Sequence, residues 1–148
     1  MPVIIVGADT TYGAGLVEAL CAAGTEVRAF VTDPDTAGAL RRLGAKVAIG
    51  DLTDASHVGG AALNAFSAVL MTEAATDDRE RSFADTFDAV LASWAEAVSE
   101  AKITRVILVT SSGTDPGPLL GATPEFVAVE PGEAAIASVV AANEAAEV

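Results

Sequence analysis

Val3-Ile4-Ile5-Val6-Gly7-Ala8-Asp9-Thr10-Thr11-Tyr12-Gly13 is the stretch on which the fold turns. Its first four residues are all apolar and β-branched. A run without polar alternation reads as a short strand buried on both faces, as in a parallel sheet. The run stops at Gly7, and a second glycine follows at Gly13. Beyond them Leu16, Val17, Leu20 and Cys21 recur at helical spacing, so a helix is expected from about Thr11 to Ala23, with Gly24 at its C-cap. A strand, a glycine-bounded turn and a helix place unpaired helix amides at the carboxyl end of the strand. That end of the helix dipole favours negative charge.

The alternation continues outward from this unit. Val27 to Val31 reads as a second strand, which Asp33-Pro34-Asp35 breaks before a helix over Thr36–Leu43. Lys46 to Ile49 reads as a third strand, followed by Gly50-Asp51. Asp54 is the expected N-cap of a helix reaching Phe66, weakened by Gly59-Gly60. Ala68 to Thr72 reads as a fourth strand. The longest helical pattern runs from Asp77 to about Ala101, with Phe83, Phe87, Val90, Leu91, Trp94 and Val98 on one face. Arg105 to Thr110 reads as a fifth strand, Ser111 to Pro124 as a loop, and Glu133 to Glu147 as a last helix. Phe126 to Val129 is expected to be an antiparallel edge strand or plain loop, because the loop before it looks too short and broken for a crossover helix. The pattern predicts one α/β domain over residues 1–148. It is a doubly wound parallel sheet with strand order 3-2-1-4-5 and helices on both faces.

Composition narrows the function classes. Of the 148 residues 51% are hydrophobic and 20% charged, which excludes a disordered chain. The net charge of −13 argues against nucleic acid and against an anionic membrane surface, since no basic cluster exceeds Arg41-Arg42. The single Cys21 allows no internal disulfide and reads as a buried, inert thiol. The sole histidine, His57, has no partners for a metal site. With no long apolar run and no basic leader, a cytoplasmic location is expected.

The opening stretch resembles the strand–GATGxxG–helix start of the atypical short-chain dehydrogenase/reductases, the NmrA-like and NAD(P)H-binding group. Further pieces are similar in the same order. Ala23-Gly24-Thr25-Glu26-Val27-Arg28 sits at that group's AGHxVR, and Gly44-Ala45-Lys46-Val47 with Gly50-Asp51-Leu52-Thr53-Asp54 at its GAEV…GDLTD. Lys102-Ile103-Thr104-Arg105-Val106 through Ser111-Ser112-Gly113 sits at its VKRVVYVSSxG. The resemblance implies a Rossmann-like fold with NAD or NADP as cofactor, and either small-substrate oxidoreductase chemistry or redox-sensing binding. It places the phosphate loop at Gly7, Asp9, Thr10, Thr11, Tyr12 and Gly13. Thr32 and Asp33 would lie near the adenosine ribose, and Asp51 and Leu52 beside the adenine. Thr72 and Glu73 fall on the nicotinamide side, with Ser111 near the reacting ring. It also implies a homodimer through the helix over 77–101.

Several positions depart from that group's pattern. Thr10 replaces the middle glycine, where a side chain would obstruct the pyrophosphate. Asp9 would face two phosphate charges, at a cost of roughly 3 kcal/mol for one pair at about 5 Å and an effective dielectric of ~20; the alternative role for Asp9 is to cap the first helix. Thr32 stands where an arginine would meet a 2′-phosphate. The acid–base pair Tyr-x-x-x-Lys is missing, since Tyr12 is the only tyrosine and Lys46 and Lys102 are the only lysines. The alternative function is a non-catalytic remnant that keeps the fold for assembly or protein interaction.

Overall fold

The computed structural model describes residues 1–148. Six parallel strands form one sheet in the order β3-β2-β1-β4-β5-β6. They are β1 (Val3–Val6), β2 (Val27–Val31), β3 (Lys46–Ile49), β4 (Ser67–Met71), β5 (Arg105–Val109) and β6 (Glu125–Val129). The helices are α1 (Gly13–Ala22), α2 (Ala37–Arg42), α3 (Ala55–Ala61), α4 (Glu73–Thr76), α5 (Phe87–Glu100) and α6 (Ala134–Glu144). The Rossmann-like α/β reading therefore holds, with one more parallel strand than expected.

Strand alternation builds two cores from one run of apolar residues. Ile4 and Val6 face one side of the sheet with Phe30, Leu91, Trp94 and Val98. Val3 and Ile5 face the other with Leu16, Val17, Leu20 and Leu40. Helices α3 and α5 thus cover one face, and α1, α2 and α6 the other. β1 lies between β2 and β4, with Val3 opposite both Val27 and Ser67, and all four of its residues are buried. Asp54 caps α3 as expected, accepting from the N–H of His57 at 3.2 Å.

Three expectations are corrected. β6 pairs parallel to β5, not antiparallel. The chain from Thr110 to Pro124 meets the length a parallel crossover needs. It crosses without a full helix because a single 3-10 turn at Gly117–Leu119 packs on α5 and places Leu119, fully buried, in the core on that face of the sheet. The long helix over 77–101 is also not continuous. α4 ends at Thr76, residues 77–86 are irregular, and α5 starts afresh after Thr86, whose hydroxyl accepts from the N–H of Ala89 at 3.2 Å. Phe83 therefore leaves the apolar stripe and is 69% exposed, while Trp94 stays buried and donates its indole N–H to the Leu52 carbonyl at 3.0 Å. Finally, Cys21 is partly rather than fully buried, and burial raises its thiol pKa, so it stays a weak nucleophile.

Arg105 fastens the last strand and helix to the sheet. It is fully buried at the start of β5 and donates to the carbonyls of Ala142 and Ala145, each at 2.8 Å, which the end of α6 leaves unpaired. Its other nitrogen meets the Glu125 carboxylate at 3.2 Å, and the guanidinium lies 5.1 Å from the centre of the Phe66 ring. Replacing it leaves a half-buried carboxylate and the helix-end carbonyls without donors. Arg105→Met is expected to lower the unfolding free energy by about 3–5 kcal/mol, read in urea by the fluorescence of the single tryptophan.

Candidate functional site

The sheet changes direction between β1 and β4, and in open α/β sheets the crevice at such a point, at the strands' carboxyl ends, is where ligands bind. The loop from β1 to α1 forms one wall. Gly7 has a φ of +87°, and a β-carbon there would come within 2.9 Å of that of Ala74. Gly13 is more constrained still, because a β-carbon would lie 1.9 Å from the Ala8 carbonyl oxygen. The tight loop brings the head of α1 to the crevice. There the N–H groups of Tyr12, Ala14 and Gly15 find no acceptor in the chain, and no side chain caps the helix. This is the donor set an anion needs.

The two unusual loop residues do not act as their positions suggested. Thr10 turns its hydroxyl inward, donating to the Gly7 carbonyl at 2.8 Å with Met71 Sδ at 3.3 Å, so its side chain stays out of the approach to the amides. Asp9 does not cap α1. Its carboxylate swings to the end of β2 and accepts from the N–H groups of Thr32 at 2.9 Å and Asp33 at 3.1 Å. The carboxylate at the helix head comes instead from Glu73, the first residue of α4. It accepts from the N–H and the hydroxyl of Thr11 at 2.9 and 3.0 Å.

Next to the head of α1 opens a cavity of about 400 Å³, whose lining includes Tyr12, Thr72, Glu73, Phe87, Ser111 and Thr114. The structure thus gathers Tyr12 and Thr72 with Ser111 at one place. The Thr72 hydroxyl is committed, donating to the Val109 carbonyl at 3.0 Å, whereas Ser111 is exposed. Nothing in the cavity forms an acid–base couple of the tyrosine–lysine kind.

Across β1, β2 and β3 the crevice looks different. The irregular segment 77–86 lies over the strand ends and is tied to them residue by residue. Arg79 donates to Asp9 at 2.8 Å and to the Thr32 hydroxyl at 3.2 Å, and grips Asp77 at 2.7 Å. Arg81 bonds the Ala74 carbonyl at 2.8 Å and Asp77 at 3.0 Å. The Ser82 N–H donates to Asp51 at 2.6 Å, and Asp51 also accepts from the Thr53 N–H at 2.8 Å and from the Thr53 hydroxyl. Leu52 is buried in the core, and His57 packs edge-on against Phe30 with its ring over Gly50. Sequence reasoning missed Asp77, Arg79, Arg81 and Ser82 because the helical stripe ran through them. The signals present were the charge run Asp77-Asp78-Arg79-Glu80-Arg81 and the N-cap type of Thr86.

Comparison with known proteins fits this geometry. A family described as NAD(P)H-binding matches residues 7–147. Among solved structures, the chain resembles ChuY, an anaerobillin reductase of Escherichia coli O157:H7, at 27% identity and a TM-score of 0.58, over 93% of this chain and 59% of that one. It resembles the triphenylmethane reductase of Citrobacter sp. at 12% identity and a TM-score of 0.68, over 86% of this chain and 48% of that one. It also resembles an NADPH-dependent quinone oxidoreductase of Escherichia coli, solved with NADPH, at 19% identity and a TM-score of 0.61, over 74% of this chain and 36% of that one. The chain spans 36–59% of the length of these three structures. No curated protein matches it in sequence.

The carboxylates that hold segment 77–86 set a pH dependence. Burial pushes the Asp51 pKa up, but the hydrogen bonds from Thr53 and Ser82 outweigh it and leave the pKa below the ordinary value. Burial also opposes ionisation of Asp77, and the bonds and charges of Arg79 and Arg81 outweigh it in the same sense. A pKa lowered on folding adds stability that is complete above the unfolded value and is lost as pH falls through the folded one. Stability in urea should be level from pH 7 to about 5 and should decline as the pH passes below about 4. The decline should be shallower in Asp51→Asn.

Proposed function

Because the chain belongs to the NAD(P)H-binding family, we propose that it binds a nicotinamide dinucleotide and serves a reductase-type function on a small substrate. One observation carries this reading: the unpaired amides of Tyr12, Ala14 and Gly15 stand at the head of α1 beside a cavity at the sheet's switch point. The residues on that side fit the cofactor. Gly13 lets the loop close, Thr10 leaves the approach free, and the Asp9 carboxylate is turned to the N–H groups of Thr32 and Asp33. The repulsion expected between Asp9 and a diphosphate is correspondingly reduced.

When bound, the dinucleotide supplies the hydride. The chain's own part is to hold and orient. The α1 amides would take the diphosphate, with Glu73 withdrawing from Thr11 to admit it. Thr72 and Ser111 would border the nicotinamide side of the cavity, and the hydroxyl of Tyr12 would orient a small polar substrate. Asp9 would keep the end of β2 in place through the N–H groups of Thr32 and Asp33.

No helix is long and apolar enough to cross a membrane. A homodimer through α5 would have to use its outward face. That face exposes Asp88, Glu96 and Glu100, so like charge opposes a second copy. The second reading, a non-catalytic module, is favoured by segment 77–86 lying over the ends of β1, β2 and β3.

Titration with NADH and with NADPH separates the two readings, by nicotinamide fluorescence and by unfolding free energy. A ligand with Kd near 10 µM, added at 1 mM, should stabilise the fold by about 2.7 kcal/mol. No response to either cofactor, in the wild type or in variants with segment 77–86 released, would leave only the non-catalytic reading. Glu73→Gln removes a carboxylate from the diphosphate position, so it is expected to tighten binding by roughly tenfold, a conservative figure for one screened like charge.

A further inference from the structure

We propose that residues 77–86 form a latch that occupies the adenosine side of the crevice, and that a dinucleotide binds only when Arg79 has left Asp9 and Thr32. The proposal rests on the dinucleotide reading above and adds its control to it.

The anchors decide where the latch lies. Asp9 follows β1, Thr32 follows β2, and Asp51 and Thr53 follow β3. The latch bonds all four, through Arg79 at 2.8 and 3.2 Å, the Ser82 N–H at 2.6 Å and the Phe83 N–H at 3.3 Å. These are the carboxyl ends of the strands on one side of the switch point, where a dinucleotide that starts at the head of α1 must continue. The cavity beside α1 does not reach them. The other three hollows of the molecule lie at the opposite end of the sheet, along β6 and α6, and at the end of β5. None is bordered by Thr32, Asp33 or Asp51.

What holds the latch is polar, so it can open without opening the core. Of residues 77–86 only Ala84 is buried, and Phe83 projects into solvent. The ends are fixed independently. α4 is complete before the latch begins, and α5 is capped by Thr86 where it ends. Departure of Arg79 does not strand Asp9, which keeps the N–H groups of Thr32 and Asp33. Within the latch Asp9 and Asp77 balance Arg79 and Arg81. Closed, the cluster therefore offers little net positive charge to a phosphate, which argues against Arg79 as a standing clamp for the cofactor.

When the competent form is the minor one, apparent affinity falls by its population. Loosening the latch should therefore tighten cofactor binding. Two variants test this from different directions. Arg79→Ala removes the ionic anchor. Ser82→Pro removes the N–H that Asp51 accepts and leaves every charge in place. Titrated with NADPH and with NADH, both are expected to bind at least one cofactor about tenfold more tightly than the wild type, the gain for a competent form near one molecule in ten. Trypsin, which cuts after Arg79 and Arg81, reads the latch directly. Saturating cofactor should speed cleavage after Arg81 in the wild type, because the latch is displaced.

Weaker binding by Arg79→Ala would make Arg79 a clamp and overturn the latch. So would equal affinities in all three proteins, or protection of Arg81 by the cofactor. Binding by the two variants but not by the wild type would uphold both the latch and the dinucleotide reading. If Arg79→Ala is cut faster after Arg81 by trypsin yet none of the three proteins binds either cofactor, the segment opens onto no dinucleotide site. The functional reading then falls, and the latch with it.

Discussion

A β-carbon at position 13 would come within 1.9 Å of the Ala8 carbonyl oxygen, so the chain between β1 and α1 can be wound this tightly only with glycine there. That contact sets where the first helix begins. It brings the α1 amides to the end of the central strand, with their hydrogens toward the crevice and no internal acceptor for three of them. The cavity beside them, the carboxylate of Glu73 across from them and the placement of Asp9 behind them all depend on this turn. The helix dipole adds to the same end, so the donor set at this point of the crevice is made of backbone.

The electrostatics of the molecule follow from a shortage of cations. With a net charge of −13 and eight lysines and arginines, few basic groups can be spent inside. Three arginines are. Arg105 gathers the carbonyls at the end of α6 and the Glu125 carboxylate, while Arg79 and Arg81 gather Asp9, Asp77 and the carbonyl of Ala74. Arg105 and Arg79 join pieces far apart in sequence, Arg81 ties its segment back to α4, and each would leave buried or half-buried acceptors without donors if removed. Lys46, paired with Glu26 at 2.7 Å on the exposed surface, contributes little by comparison. The acidic exterior and the arginine-tied interior are two sides of one allocation.

These ties also divide the crevice. On the side of β4 and β5 the walls are short helix, hydroxyls and an aromatic ring, and space is left between them. On the side of β2 and β3 the chain returns across the strand ends and fills the space itself. The boundary falls at Asp9. Its carboxylate could have faced a ligand, but the N–H groups at the end of β2 draw it away. An acidic residue in a phosphate loop is thus compatible with that loop's shape.

Sequence alone determined the sheet and its winding. Apolar runs such as Val3–Val6 have only one way to be buried on both faces, and Gly7, Gly24 and Gly44, all with positive φ, end their elements at positions few other residues accept. The glycine loop and the membership of Tyr12, Thr72 and Ser111 in one crevice followed from that winding, because strand ends share an edge. Tertiary structure decided the rest. Whether 77–86 continued the helix depended on partners for Arg79 and Ser82 supplied by Asp9 and Asp51, far away in the chain. The direction of β6 depended on a place in the core against α5 for Leu119. Helical periodicity is a local signal, and it cannot register a competing set of hydrogen bonds that exists only once the strands have been brought side by side.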